Sequence, residues 1–154
     1  MKINIAVLFL SVAPLSMVSQ LHAHSINGEH LSGQELALSE KKIQVSSNRN
    51  VAVFQLYDTR AAAEFYRQLP LELELSNFRQ AQWMFYPPEK LNITDNEAYH
   101  DGKKGELSYY APWGDVFMLY KDFYASDHMH RLGVVIDGID NIAPMSGTVA
   151  IEKY

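Results

Sequence analysis

The segment that most constrains the fold is the strict alternation of leucine and glutamate over residues 71–75, directly after Pro70. Successive side chains of a β-strand point to opposite faces, so this pattern gives one apolar face of leucines and one hydrated face of glutamates. In a helix, Leu73 would lie on the face opposite Leu71 and Leu75, so the three leucines would not share one apolar face. The alternation therefore predicts a half-exposed strand in a sheet with one buried face.

Short apolar or alternating runs, separated by turn residues, continue over most of the chain. Ile43 and Val45 alternate with polar neighbours, and after turn residues 48–50 the run 51–57 predicts a second strand paired to the first. Further strands are predicted over residues 106–110, 115–120, 131–136 and 148–153. The polar stretch 92–105 is interpreted as a long excursion between strands.

One main helix is predicted over residues 60–69. Asp58 or Thr59 supplies the N-cap, and Pro70 ends the helix. A short helical segment is predicted near the C-terminus, over residues 139–145. Many short strands with one main helix indicate a mainly β fold, either a small closed barrel or a sandwich.

The N-terminus has the pattern of a secretory signal peptide. Lys2 precedes an apolar core of roughly 11 residues, shorter than the ~20 needed to span a bilayer. Leu21 and Ala23 suit the −3 and −1 positions of a cleavage site. We therefore expect residues 1–23 to be a signal peptide cleaved after Ala23, residues 24–41 an N-terminal arm, and residues 42–154 the folded domain. The mature protein is expected to be secreted or periplasmic and not membrane-bound.

Composition limits the chemistry. With no cysteine the chain forms no disulfide and has no thiol nucleophile or thiolate ligand. Its 13 Lys and Arg against 18 Asp and Glu, a net charge of −5, argue against a nucleic-acid partner. No Gly-x-Ser-x-Gly motif or phosphate-binding glycine loop is present, and no cofactor is predicted.

Aromatic residues are concentrated in one part of the chain, which contains 11 of its 18 aromatics between positions 83 and 124. They admit two interpretations: rings that line a ligand pocket, or rings that fill the core of a small barrel. Phe117 is assigned to the core, and the ring on the 112–114 turn is the one expected to be exposed. The candidate ligand-binding residues, for a small molecule or a peptide, are Trp83, Tyr86, Tyr110, Trp113 and Tyr120.

Histidines offer weak candidates for a metal site. His128 and His130 fall on the same side of an extended segment, a spacing that can present two ligands to zinc or copper. After cleavage His24 would combine a free amine with its own imidazole, which is a good copper chelate. The alternative is that all three are solvated loop histidines, since a metal site needs three or four converging ligands.

Several segments, taken in order, resemble the bacterial cyclophilin-like family. These segments are LSYYAPWGDVFMLYKDF at residues 107–123 and residues 53–75, 131–142 and 146–152, and the specificity lies in the ordered set. The resemblance covers roughly residues 42–153. It implies an eight-stranded β-barrel with a helix closing one end.

The motifs of catalytic cyclophilins are not intact in this chain. Those enzymes carry an arginine in a Phe-His-Arg strand and a histidine four residues before a glycine in a second motif. Here Met129 occupies the position four residues before Gly133, with His128 and His130 on either side. Arg79 stands in an aromatic setting and is the one weak catalytic candidate, although an arginine in a polar loop is usually a solvated charge.

The sequence therefore favours an exported cyclophilin-like domain that acts as a non-catalytic binding module for a small molecule or peptide. One alternative is a peptidyl-prolyl isomerase with altered catalytic residues. A second alternative is an extracytoplasmic metal-binding protein.

Overall fold

The described part of the chain, in a computed structural model, comprises residues 35–94 and 97–154, without the side chains of residues 126–128. The predicted signal peptide, its cleavage site after Ala23 and most of the predicted arm lie outside the described residues. None of the described helices has the length and hydropathy needed to cross a membrane.

The described residues form ten β-strands and one α-helix. They are β1 (Leu38–Ser47), β2 (Asn50–Tyr57), α1 (Arg60–Gln68), β3 (Leu71–Glu74), β4 (Ser76–Phe78), β5 (Gln82–Phe85), β6 (Ala98–Gly102), β7 (Glu106–Tyr110), β8 (Asp115–Leu119), β9 (Phe123–Asp137) and β10 (Thr148–Lys153). Their order in the sheet is β3-β10-β1-β2-β9-β7-β8-β5-β4, and β6 pairs with β9 beside this path. Because the first and last strands of that order are consecutive in the chain, the sheet curls into a nearly closed barrel.

The prediction of a mainly β fold with a small barrel, one main helix and a short C-terminal helical turn is confirmed. The alternating segment forms β3, whose leucines pack against the core while its glutamates are exposed. Thr59 is the N-cap of α1, since its hydroxyl oxygen accepts a hydrogen bond from the Ala62 amide at 3.2 Å. The helical turn is the 3₁₀ segment Ile139–Asn141.

The ten strands exceed the eight that the resemblance implies, and three of them, β4, β5 and β6, were not predicted from the sequence. β6 lies within the predicted excursion, and it forms because the long strand β9 offers it a pairing edge. β4 has three residues and pairs with β5 in a tight hairpin. The first strand also begins earlier than its alternation suggests, with Leu38 paired to Tyr57 beyond a register shift.

The sheet is buried on both faces around β8. Val116 and Met118 face the main core inside the barrel, to which α1 contributes Ala61, Ala62 and Phe65. Phe117 and Leu119 point the other way and form a second cluster with Tyr99 and Met129. This second cluster on the outer face of the sheet is where the candidate site lies.

Candidate functional site

A cavity of about 430 Å³ lies against the second cluster. Its walls come from three stretches of chain: the β4–β5 hairpin, the β7–β8 hairpin and the first half of β9. The lining residues used below are Phe78, Arg79, Gln82, Tyr110, Trp113, Asp115, Phe117, Phe123, Tyr124 and Met129. The volume falls within the range typical of small-molecule pockets.

Strand register explains why these residues share a face. Tyr110 is paired with Asp115 across the β7–β8 hairpin, so both side chains point to the same side of the sheet. Phe117 lies two residues beyond Asp115 on β8, so its side chain points to the same side of the sheet. On the neighbouring strand Gln82 is paired with Leu119, which places its side chain on this outer face as well.

Aromatic rings surround the cavity in edge-to-face contact. Trp113 contacts the rings of both Tyr110 and Phe78. Its centroid lies 5.4 Å from that of Tyr110, with 87° between the ring planes, and 5.5 Å from that of Phe78, with 82° between the planes. Phe78 in turn contacts Phe123 at 6.1 Å. Trp113 is nevertheless half exposed and Tyr124 is 71% exposed. These contacts hold large rings in a defined arrangement at a solvent-facing rim.

Asp115 is the most unusual group in the wall. The residue is 1% exposed, and neither carboxylate oxygen accepts a hydrogen bond from another residue in the described part of the chain. Burial raises the pKa of this carboxyl from its ordinary value of 3.8 to about 6. A hydrogen bond with its own backbone amide lowers the pKa, but this effect is smaller. The side-chain oxygen of Gln82 is also buried and without a partner among the described residues. The cavity thus contains hydrogen-bond acceptors that the described protein does not satisfy.

Arg79 reaches the cavity from the three-residue turn, residues 79–81, between β4 and β5. Arg79 and Gln80 have left-handed backbones with φ of 52° and 51°, and the Ala81 amide donates to the Phe78 carbonyl at 3.1 Å. Positive φ at both central residues matches the type I′ turn that twisted hairpins favour. The guanidinium lies over the Phe78 ring, 5.1 Å from its centre, and the residue is exposed to solvent. Arg79 therefore provides a screened positive charge in an aromatic setting.

Arg131, Glu106 and Tyr99 form a second set of polar side chains on the same face, and unlike Asp115 they interact with one another. The Nε atom of Arg131 lies 3.9 Å from a carboxylate oxygen of Glu106, and its guanidinium stacks over Tyr99 at 4.6 Å. The Tyr99 hydroxyl is hydrogen-bonded to Ser108. Burial raises the pKa of both Glu106 and Tyr99. The Nε atom of Arg131 is buried without a hydrogen-bond partner among the described residues, but the opposite charges of Arg131 and Glu106 offset one another, so we assign them to stability of the outer face and not to ligand contact.

Sequence comparison assigns the protein to a family. A model of the Cyclophilin-like family matches residues 45–152, which is well over half of the sequence. The chain belongs to the cyclophilin-like family. No curated protein matches it significantly.

One solved structure similar to this cyclophilin-like domain is the solution structure of a hypothetical protein from Archaeoglobus fulgidus. The match has a TM-score of 0.58 at 11% sequence identity and covers 79% of this chain and 99% of that protein. At that identity the likeness concerns the fold alone.

The structure brings together some of the predicted site residues. Tyr110, Trp113 and Arg79 line the cavity. Trp83 and Tyr120 do not, because alternation along β5 turns Trp83 toward the main core, where the two rings pack 6.2 Å apart. The Trp83 indole donates to the Ala143 carbonyl at 3.2 Å.

The other predicted rings have different positions. Tyr86 is half exposed and lies outside the cavity wall. Phe117 is 1% exposed, consistent with its assignment to a core, although it also forms part of the cavity wall.

Sequence reasoning missed Asp115 and Gln82. A signal for Asp115 exists: it is an acidic residue at the start of β8, a strand in which all five residues are buried. An acidic residue in such a setting is unusual unless it is paired or functional. Gln82 has no comparable signal, because a glutamine at the start of a strand is ordinary.

The metal candidates are only partly described. His130 is buried on β9, whereas His24 and the side chain of His128 lie outside the described residues. Among the residues that the structure describes, no group of three or more histidine, aspartate or glutamate side chains is placed to hold a metal ion.

Proposed function

We propose that this cyclophilin-like domain is a binding module that holds a small molecule or part of a peptide in the outer cavity. The observation that carries the proposal is the combination of a cavity of about 430 Å³, a rim of ordered rings and the unpartnered carboxylate of Asp115. Pockets with apolar walls and a few convergent polar groups are the usual form of ligand sites.

The rim supports this proposal over simple packing. A tryptophan that only filled space would be expected to be buried, yet Trp113 leaves half of its surface exposed while two rings contact its edges or face. Such an arrangement presents apolar area to solvent without requiring the ring to become ordered on binding. A ligand covering it would gain contact area at a low entropic cost.

The proposal can be tested by NMR titration of the purified protein. The probes are benzylamine, benzyl alcohol, benzoate and a proline-containing tetrapeptide. We expect backbone amide shifts confined to the three wall segments, 78–82, 110–117 and 123–129. Trp113→Ala should weaken binding at least tenfold, whereas Tyr86→Ala, which removes an equally exposed ring outside the cavity, should leave it unchanged. If none of the probes produced saturable amide shifts, the proposal would be contradicted.

A second candidate function, prolyl isomerisation, is favoured by the position of Arg79. Its guanidinium lies in the cavity wall beside aromatic rings, where it could donate a hydrogen bond to the peptide group of a bound X-Pro segment. Stabilising the twisted amide lowers a barrier of about 18–20 kcal/mol.

The test is a tetrapeptide isomerisation assay with two arginine variants. Arg79→Ala should abolish any activity, and Arg49→Ala should not. Arg49 is a suitable control because it occupies a left-handed turn position, φ 65°, in the β1–β2 hairpin and lies outside the cavity wall. A wild-type rate no faster than the uncatalysed reaction would remove this function, and equal catalysed rates for the wild type and Arg79→Ala would remove Arg79 from it.

A further inference from the structure

We infer that the ligand of the outer cavity presents a protonated amine, which pairs with the buried carboxylate of Asp115 while its apolar part packs against the surrounding rings. The inference rests on the proposed function and specifies its substrate class. It depends on three observations: the unsatisfied acceptors, the distribution of charge and the rings beside them.

The unsatisfied polar atoms in the wall are all oxygens. Both carboxylate oxygens of Asp115 and the side-chain oxygen of Gln82 are buried without a hydrogen-bond partner among the described residues. Carboxylate and carbonyl oxygens accept hydrogen bonds and do not donate them when the acid is ionised. The complementary ligand group must therefore donate hydrogen bonds, and an ammonium group with several N–H donors meets that need best.

The charge distribution favours a cation over an anion. Asp115 is buried, so its negative charge is poorly screened, whereas the opposite charge of Arg79 is exposed to water and is weakened by it. In the described part of the chain, no ion pair joins Arg79 to a carboxylate, so it does not neutralise Asp115 directly. A ligand entering past the rim meets a field that is negative at its inner end.

The aromatic rim suits the same ligand. Tyr110 is the register partner of Asp115, its ring contacts Trp113, and all three residues line the same cavity. Aromatic faces attract cations and also accept apolar groups. An aryl or alkyl amine would match both parts of the cavity at once.

The test compares probes that share a phenyl ring but differ in charge. Benzylamine is protonated at neutral pH, benzyl alcohol is neutral and benzoate is an anion. Dissociation constants are measured by NMR from the amide shifts of residues 110–117. We expect benzylamine to bind at least tenfold more tightly than either of the other two.

Two variants assign that preference to a residue. Asp115→Asn keeps the shape of the side chain and should reduce the preference for benzylamine over benzyl alcohol to less than twofold. Asp137→Asn removes the same charge from the exposed end of β9 and should leave the preference intact. Thermal unfolding of each variant establishes that it is folded before binding is measured.

The outcomes separate the two proposals. Three results would overturn the amine inference and leave the binding function standing. They are equal affinity for all three probes, tightest binding of benzoate, and a preference for benzylamine that survives in Asp115→Asn. No saturable binding of any probe, including the tetrapeptide, would overturn both.

Discussion

Tyr110 and Asp115 are register partners at the tip of the β7–β8 hairpin, and both side chains point to the outer face of the sheet. The first supports the edge of the half-exposed Trp113 ring, and the second is buried with neither oxygen accepting a hydrogen bond from another described residue. One hairpin thus positions an apolar contact surface and a buried charge beside each other. The predictions that follow test the energetic cost of that arrangement and the features that hold the barrel around it.

Asp115→Asn should stabilise the protein at neutral pH. The pKa of Asp115 is raised from 3.8 to about 6, so the folded state binds its proton more tightly than the unfolded state. The ionised side chain therefore lowers the free energy of unfolding progressively as pH rises through 4 to 6. By the usual conversion this amounts to roughly 2–3 kcal/mol above pH 7.

Urea unfolding of the wild type and Asp115→Asn at a series of pH values measures this effect. The variant should be more stable at pH 7.5, and the difference should close by about pH 4, where the wild-type carboxyl is also neutral. Equal stabilities at pH 7.5 would show that Asp115 bears no desolvation cost in the folded protein.

Glu64 should stabilise the fold in the opposite pH range. Its carboxylate accepts hydrogen bonds from the Asn92 amide at 2.8 Å and from Arg60 at 2.8 Å, which ties α1 to the segment after β5. The Asn92 backbone hydrogen bond is the main reason that the pKa of Glu64 falls to about 2. A lowered carboxyl pKa gives stability that is present above about pH 4.5 and lost as pH falls toward 2.

We expect Glu64→Gln to lower the free energy of unfolding by about 1 kcal/mol at pH 7, a value reduced for solvent screening. Glu72→Gln, on the exposed face of β3, is the control and should change little. The finding that the two variants have equal stability would mean that the Asn92 contact contributes nothing measurable.

The β1–β2 hairpin should be more stable with glycine at position 49 than with the native arginine. Asn48 and Arg49 have φ of 50° and 65°, the left-handed conformation of a type I′ turn, for which Asn-Gly is the preferred pair. Replacing Arg49 by glycine removes the steric cost of a Cβ there, partly offset by the greater freedom of glycine in the unfolded chain. The net expectation is a gain of about 0.5–1 kcal/mol for Arg49→Gly and no gain for Arg49→Ala, measured by chemical denaturation.

Most of the barrel could be predicted because its strands carry local signals. The leucine and glutamate alternation of β3 and the apolar runs of β2 and β8 fix which faces are buried, and a proline and a threonine mark the ends of α1. β6 could not be found this way. Its residues form a strand because β9 extends far enough to pair with them, which is a tertiary effect.

The site was only partly predictable for a related reason. Aromatic enrichment indicated a region that contributes several residues to the cavity wall, but assigning each ring to a face requires the register of the strand that carries it. Trp83 and Gln82 are neighbours in sequence, yet alternation along β5 sends one toward the main core and the other to the cavity. The role proposed for Asp115 depends on its lack of hydrogen-bond partners among the described residues, which only the assembled structure reveals.

The predicted signal peptide gives a simple test of export. If cleavage follows Ala23, the mature protein recovered from the medium or the periplasm should begin His24-Ser25-Ile26. N-terminal sequencing measures this directly, and substituting Ala23 by a bulky residue should block processing. Recovery of a protein that retains residues 1–23 would contradict the prediction.

Gly133 should be intolerant of any side chain because two strands approach closely there. A Cβ at this position would lie 2.6 Å from the Gln55 carbonyl oxygen and 3.0 Å from a Leu56 methyl group. The obstacle is backbone of the adjacent strand β2, with which Gly133 pairs through Leu56, so relief would require the barrel wall to move. We expect Gly133→Ala to lower the free energy of unfolding by about 2–3 kcal/mol.

Gly147→Ala is the matched comparison for that variant. A Cβ at Gly147 would meet no atom within 4 Å, so its cost should come only from the left-handed backbone, φ 72°, and amount to about 1 kcal/mol. Denaturation of both variants separates crowding from backbone strain. If Gly133→Ala lowered the free energy of unfolding no more than Gly147→Ala, the close approach of the two strands would not explain the glycine at position 133.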